Sequence, residues 1–247
     1  MNWTKEELMG GKWDPKFGHE TPSNSFANYQ QEWVRRKEQA GLRRLLTQQI
    51  EAIFEPRFIT PPETSEFIES LITMTDSRRI LEIGMHAGFT TLHILRAVVG
   101  KLDAHVTAID ARPAHNLQFF ERPEIAPWFR FVEGWTPDIL NSEQIPGPFD
   151  VIFIDSDHTL EHTKKELEAL KPLSADGTIF IVHDLPRWAA PDNPAPHPVR
   201  KWFLELVSDG TLYGLILPTA DQLDGETLWG RGYPKQCNPH LGIFVRR

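Results

Sequence analysis

Two short runs in this sequence have residue types and spacing suited to chemistry. Phe153-Ile154-Asp155-Ser156-Asp157-His158-Thr159-Leu160-Glu161-His162 follows an apolar segment, and Val182-His183-Asp184 ends another. Carboxylates and imidazoles gathered at one edge of a sheet can hold a hard divalent cation while a neighbouring imidazole takes a proton. Asp155 reads as a ligand or as a plain strand-end carboxylate. Asp157 reads equally well as a cap for the helix expected over residues 160–170. His158 suits a general base, because imidazole titrates near neutral pH and can accept a hydroxyl proton without a large shift.

A third run, Arg79-Ile80-Leu81-Glu82-Ile83-Gly84-Met85-His86-Ala87-Gly88-Phe89-Thr90-Thr91, is an apolar strand breaking into a two-glycine turn and then into helix-compatible sequence. Gly84 and Gly88 allow a sharp turn and a close approach to a ligand. The spacing is Glu-x-Gly-x-x-x-Gly, which differs from the Gly-x-Gly-x-x-Gly that brings a pyrophosphate to a helix N-terminus. A ligand with phosphates is disfavoured; one with amine, ribose and adenine groups fits, and S-adenosylmethionine is the leading candidate. Asp110 ends the next strand about two dozen residues on, where an acid can accept ribose hydroxyls or cap the following helix. Gly134 and Trp135, in Glu133-Gly134-Trp135-Thr136, either line an adenine slot or simply pack.

These residues need elements to place them. Strands are expected at 80–83, 105–109, 129–132, 151–154, 178–182, 213–217 and 241–245, most of them alternating with helix-length segments. That alternation predicts an α/β fold, a doubly wound, seven-stranded, mostly parallel sheet, with a helical N-terminal extension. Residues 1–57 read as an aromatic arm (Trp3, Trp13, Phe17) followed by one or two helices over 24–54, and residues 58–247 as the ligand-binding domain. A helix over 65–74 precedes the first strand, and another runs from Val199 toward Val207. The proline-rich stretch 185–199 reads as a lid or rim, and 219–239 as a long connection.

Composition narrows the function classes. The 247 residues are 40% apolar, enough for a substantial core, and carry a formal net charge of −8. No basic stripe tracks phosphates, so no nucleic-acid partner is expected; Arg35, Arg36, Arg43 and Arg44 read as a solvated helix face. No apolar run has the length of a membrane span, and the N-terminus is unlike a signal peptide. The single cysteine, Cys237, fits a reducing compartment, so the expected location is the cytoplasm.

From about Thr60 to Asp184 the sequence resembles the class I S-adenosylmethionine-dependent methyltransferases, most of all the catechol and caffeoyl-CoA type of metal-dependent O-methyltransferase. The resemblance rests on Ile80-Leu81-Glu82-Ile83-Gly84, on Gly88-Phe89-Thr90-Thr91, on Asp110, and on Asp155-Ser156-Asp157-His158 where that family has Asp-Ala-Asp-Lys. It implies a Rossmann-like methyltransferase fold whose cofactor set is Thr60, Glu82, Gly84, Met85, Gly88, Thr90, Asp110, Ala111, Gly134, Trp135, Thr136 and Asp155. It also implies a Mg²⁺ site at Asp155, His183 and Asp184. Two departures stand out. His158 takes the place of a catalytic lysine, so the implied base is an imidazole assisted by Asp155, and the family's later Asp-Asn pair is here His183-Asp184. The implied reaction is in-line attack of a small-molecule hydroxyl on the sulfonium methyl group. The alternatives are a metal-dependent hydroxylase or hydrolase-like enzyme on the same fold, and a non-catalytic partner protein docking through its arm. The aromatic extension further suggests a homodimer.

Overall fold

The computed structural model describes residues 22–53, 60, 62–112, 116–185, 188–190, 193–217 and 241–246. The chain divides into two compact units, residues 1–40 and 41–247. The division falls inside the first helix, whereas the sequence reading placed a boundary at 57–58. Trp3, Trp13 and Phe17 of the expected arm and the 219–239 connection lie outside the described residues.

Helix α1 (Pro22–Ile53) is continuous, where the sequence suggested one or two helices. In its first unit Glu32 pairs with Arg35 at 3.0 Å and with Arg36 at 2.9 Å, and Lys37 sits 3.7 Å over the Trp33 ring. Both arginines are exposed, as expected of a solvated face, and so is Trp33. In the second unit Leu42, Leu45, Leu46 and Ile50 turn an apolar stripe into the core at the three- and four-residue spacing that puts side chains on one helix face.

The strands are β1 (Arg79–Ile83), β2 (His105–Asp110), β3 (Phe129–Glu133), β4 (Phe149–Ile154), β5 (Ser174–Val182), β6 (Trp188–Ala190), β7 (Asn193–Pro196), β8 (Leu212–Leu217) and β9 (Leu241–Arg246). Seven of them form one sheet in the order β3-β2-β1-β4-β5-β9-β8. The first five are parallel, and β9 runs antiparallel to both β5 and β8. The doubly wound, mostly parallel sheet expected from the alternation is therefore present. β6 and β7 form a separate short hairpin inside the proline-rich stretch that the sequence suggested was loop.

Helices α2 (Pro62–Met74), α3 (Phe89–Val98), the single turn α4 (Leu117–Phe120), α5 (Leu160–Leu170) and α6 (Pro198–Ser208) complete the described elements, with three short 3₁₀ turns. The two-residue strand period sorts the core into two layers. Ile80, Val106, Val151 and Phe153 face α2 and α3, with Ile68, Ile72, Leu92 and Leu95. Leu81, Ile83, Ile152, Ile154 and Val182 face the other way, toward Leu170 of α5 and Phe203 of α6; the Phe203 ring stacks on Phe244 at 4.5 Å. β1 is covered on both faces, and its buried residues 80–83 are apolar except for Glu82, whose position puts it on the Ile80 side.

Polar ties hold these layers in register. Asp150 accepts the backbone N–H groups of Arg78 and Arg79 at 2.7 and 2.9 Å, joining the start of β1 to that of β4. Glu69 on α2 accepts both Nε and Nη2 of Arg96 on α3 at 2.7 and 2.6 Å and lies 3.0 Å from His93 Nδ1, while Arg96 also donates to Thr47 of α1. The fork geometry makes this the strong form of an ion pair. It fixes the layer against which the β1–α3 turn is built.

Candidate active site

Apart from Thr60, which precedes α2, and Thr90 in α3, the residues singled out for chemistry come from the carboxyl-end halves of β1 to β5 and the loops after them, where ligands bind in open α/β sheets. β1 ends in Gly84, at φ +90°, whose N–H donates to Ile109 O at 2.9 Å. A Cβ at Gly84 would lie 2.0 Å from the backbone oxygen of Asp155, so only glycine lets the β1 turn run this close to the end of β4. Gly88, at φ +77°, starts α3 and donates to Met85 O at 2.8 Å; a Cβ there would meet the Phe120 ring. Met85 itself is buried.

Glu82 is the anomaly in this turn. It is 0% exposed, and neither carboxylate oxygen has a hydrogen-bond partner. Burial pushes its carboxyl up to about 8; the Thr91 hydroxyl opposes this without completing a hydrogen bond, and the charges of Asp155 and Asp110 add to the rise. Buried polar groups are nearly always satisfied, so an orphaned carboxylate beside a glycine turn marks a place for a donor from outside the chain.

Asp110 faces the same turn from the end of β2. Its Oδ2 accepts the His86 N–H at 2.8 Å and its Oδ1 the Arg112 N–H at 3.1 Å. The carboxylate is thereby held in place with one lone pair on each oxygen still free for a hydroxyl. Ala111 follows it, half-buried, and Gly134 after β3 ties back to Asp110 O at 2.9 Å. Trp135 is 68% exposed, so it does not pack in the core. Thr90, also expected at the cofactor, has its hydroxyl engaged with Ser65 of α2 at 3.1 Å. Thr136 has its hydroxyl engaged with Glu166 of α5.

The second cluster lies at the ends of β4 and β5. Asp155 Oδ1 is 3.0 Å from His183 Nδ1 and 3.7 Å from His158 Nε2, and Oδ2 accepts the Thr60 hydroxyl at 3.1 Å. Asp184, at φ +52°, reaches His183 Nδ1 at 3.3 Å and His158 Nε2 at 3.2 Å. A non-glycine residue in the left-handed region is uncommon, and such strain collects at functional sites. Burial opposes ionisation of Asp155, but the charge and hydrogen bond of His183, with His158 and Thr60, hold its carboxyl below the usual carboxylate range. Burial likewise opposes charging of His183, and Asp155 and Asp184 overcome it, raising the imidazole to about 9. At neutral pH His183 is therefore an imidazolium paired with Asp155.

The atoms that converge within 4.8 Å, as a metal ion requires, belong to Asp155, His158 and Asp184. His183 Nδ1 lies against the same two carboxylates, and its Nε2 is buried without a partner near the Phe153 ring. Asp157 does not cap α5; Thr159 holds that position, and Asp157 accepts the Thr159 N–H at 2.8 Å.

Two residues at this edge escaped the sequence reading. Glu166 is fully buried on α5 and gathers Thr136, Ser156 and His162. Its signal was an acid on the buried helix face, three residues after Thr163 and four before Leu170. His197 precedes α6 with Nδ1 buried and unpartnered. Burial and the charge of His158 hold its imidazole below the usual value against the opposing pull of Asp184. Its signal was an imidazole just before a helix-starting proline.

Residues 81–185 match the family model of a methyltransferase domain. The matched span runs from β1 through the residue after Asp184 and so contains both clusters. Among relatives, the methyltransferase domain is similar to a catechol O-methyltransferase of Niastella koreensis, 28% identical over 137 residues, or 53% of this chain and 60% of the relative. It is also 28% identical to a caffeoyl-CoA O-methyltransferase of Populus kitakamiensis over 153 residues, 57% of this chain and 62% of that one. The match thus spans about three fifths of the length of each relative. The fold is that of an O-methyltransferase of Bacillus cereus in complex with SAH, with a TM-score of 0.59 at 20% identity, covering 83% of this chain and 91% of that one. It is likewise that of the O-methyltransferase TomG of Streptomyces achromogenes, in complex with SAM, with a TM-score of 0.58 at 18% identity over 83% and 90% of the two chains. Among the described residues no helix is long and apolar enough to cross a membrane.

Proposed function

We propose that the chain is an S-adenosylmethionine-dependent O-methyltransferase acting on a hydroxyl of a small molecule, assisted by a divalent ion. The observation that carries this reading is the orphaned Glu82 carboxylate beside the Gly84 turn, with Asp110 held ready on the neighbouring strand. The residues fit the cofactor: Glu82 offers a buried, unpartnered carboxyl that a cationic amine would turn to its ionised form, and Asp110 two acceptors to a pair of ribose hydroxyls. Trp135, exposed after Gly134, offers an apolar face to an adenine. When bound, S-adenosylmethionine supplies the activated methyl group.

The ion set also fits. Two carboxylate oxygens and one imidazole nitrogen from Asp155, His158 and Asp184 suit Mg²⁺ or Mn²⁺, with waters or substrate oxygens completing the shell. Such an ion lowers the pKa of a bound hydroxyl and orients it. His158 Nε2, the atom that converges with the carboxylates, holds the ion in this reading, so the ion takes over the hydroxyl activation first assigned to His158 as base. Thr60 and His183 orient Asp155 from either side and keep it ionised. Two adjacent hydroxyls, as in a catechol or sugar diol, gain most from such an ion because both oxygens can reach it. The alternative hydroxylase or hydrolase chemistry would use the carboxylate and imidazole cluster but gives Glu82 no role.

Thermal unfolding with added Mn²⁺, paired with a methyl-transfer assay on a panel of catechols and diols, tests the proposal. At a hundredfold excess over Kd a site ligand stabilises by about 2.7 kcal/mol, which for a chain of this size is several degrees. That shift is expected in the native chain and lost in Asp184→Asn, and release of S-adenosylhomocysteine is expected to fall at least a hundredfold in Asp155→Asn. An equal shift in both proteins rejects the ion site, and no transfer to any acceptor in the panel counts against the substrate class.

A further inference from the structure

We propose that Glu166 is a positioning residue that ties the adenine-side loop after β3 to the acceptor-side loop after β4 and so sets the span of the site; this rests on the methyltransferase reading above. The carboxylate is 0% exposed and carries donors from three places. The Thr136 hydroxyl donates to Oε1 from the loop after β3. The Ser156 hydroxyl lies 2.8 Å from both oxygens, from the loop after β4. His162 Nε2, one turn earlier on α5, sits 2.9 Å from Oε1.

The topology gives this cluster its meaning. β3 and β4 are not neighbours, because β2 and β1 lie between them. At the usual strand spacing the two loops leave the sheet roughly 14 Å apart. They meet only by folding over the carboxyl edge onto α5, and Glu166 is the acceptor on which they converge. Beneath that tie lie the ends of β1 and β2, with the Gly84 turn and Asp110.

Each anchored residue adjoins a group assigned to the reaction. Thr136 follows Trp135, and Ser156 lies between Asp155 and Asp157 with His158 two residues on. The Glu166 oxygens accept from both hydroxyls, which turn inward to them. Releasing it frees both loops, and the proposed adenine wall and ion ligands lose their mutual distance together. A misplacement of about 1 Å at distance can cost two orders of magnitude in rate.

The test combines calorimetric titration with S-adenosylmethionine and with Mn²⁺, hydrogen exchange of the loop amides, and unfolding midpoints, for the native chain, Glu166→Leu and Glu166→Gln. In Glu166→Leu, dissociation constants for both ligands are expected to rise at least tenfold, and exchange at residues 134–136 and 155–158 to quicken tenfold relative to β2. Glu166→Gln keeps the shape, and its hydroxyl and imidazole partners can reverse their roles, so rescue to within threefold is expected. A lowered midpoint with unchanged dissociation constants would show a merely structural role and overturn the proposal. Should Glu166→Leu fail to fold, Thr136→Val and Ser156→Ala cut the two ties one at a time. Unchanged affinity for S-adenosylmethionine in the first and for Mn²⁺ in the second overturns it equally. Failure of the native chain to bind S-adenosylmethionine strikes the underlying reading instead, and the exchange experiment, which needs no ligand, still decides the tie: unquickened loops reject it.

Discussion

Glu82 shows what a single side chain can reveal about a site. Its type and place before a glycine were legible in the sequence, because a carboxylate interrupting an apolar strand has no reason of packing to be there. Its lack of any partner was not legible, since that depends on how α3 lies over β1. The raised carboxyl gives a pH dependence whose sign is fixed. With an ordinary value of 4.5 and a folded value of about 8, the folded chain holds this proton more tightly than the unfolded one. The stability it contributes is full below 4.5 and is lost as pH rises toward 8. Glu82→Gln removes the titration while keeping the shape of the protonated acid. The urea midpoint should therefore fall less between pH 5 and pH 8 in the variant than in the native chain. Parallel curves would mean that Glu82 is not buried unpaired. The same limit on legibility explains His183 and His158. Both stood out by type, but that each brings a ring nitrogen to Asp155 and Asp184 depends on the left-handed turn at Asp184, which no residue pattern announces.

The strands and helices were read well because a parallel sheet covered on both faces leaves short apolar runs separated by polar turns. All seven main strands appear within a few residues of their expected bounds. The β6–β7 hairpin was missed because Asn193-Pro194-Ala195-Pro196 contains prolines, which argue against strand. Glu166 was missed because helix α5 is mixed in composition, and its one signal, a place on the Thr163–Leu170 face, is faint among several solvated acids. Two glycines at positive φ, one inside β5 and one just after β1, permit a contrast. Gly177, at φ +87°, has open space where a Cβ would go, whereas at Gly84 that space is the Asp155 carbonyl. Gly177→Ala should cost about 1–2 kcal/mol, the strain of a left-handed L-residue alone. Gly84→Ala should cost about 3 kcal/mol or more, because the β1 and β4 ends must separate. Chemical denaturation of the two variants checks this; equal costs would show that the approach of the two strand ends is not tight.

For the whole molecule, the sheet order explains why residues from about 60 to 184 converge although they come from five strands. The reversal between β1 and β4 opens a crevice at the carboxyl edge, with Asp110 on one side and Asp155, His158 and Asp184 on the other. What could not be read from the sequence is what the crevice selects, because selection depends on the segments that frame it, which have no periodic pattern of their own. The central claim is that this crevice binds S-adenosylmethionine through Asp110 and the Gly84 turn. Isothermal titration of the native chain and of Asp110→Ala with S-adenosylmethionine, with and without Mg²⁺, tests it most directly. Micromolar binding by the native chain, weakened at least tenfold by the substitution, is the result this account predicts. No binding by the native chain under either condition, or equal binding by both proteins, would contradict it.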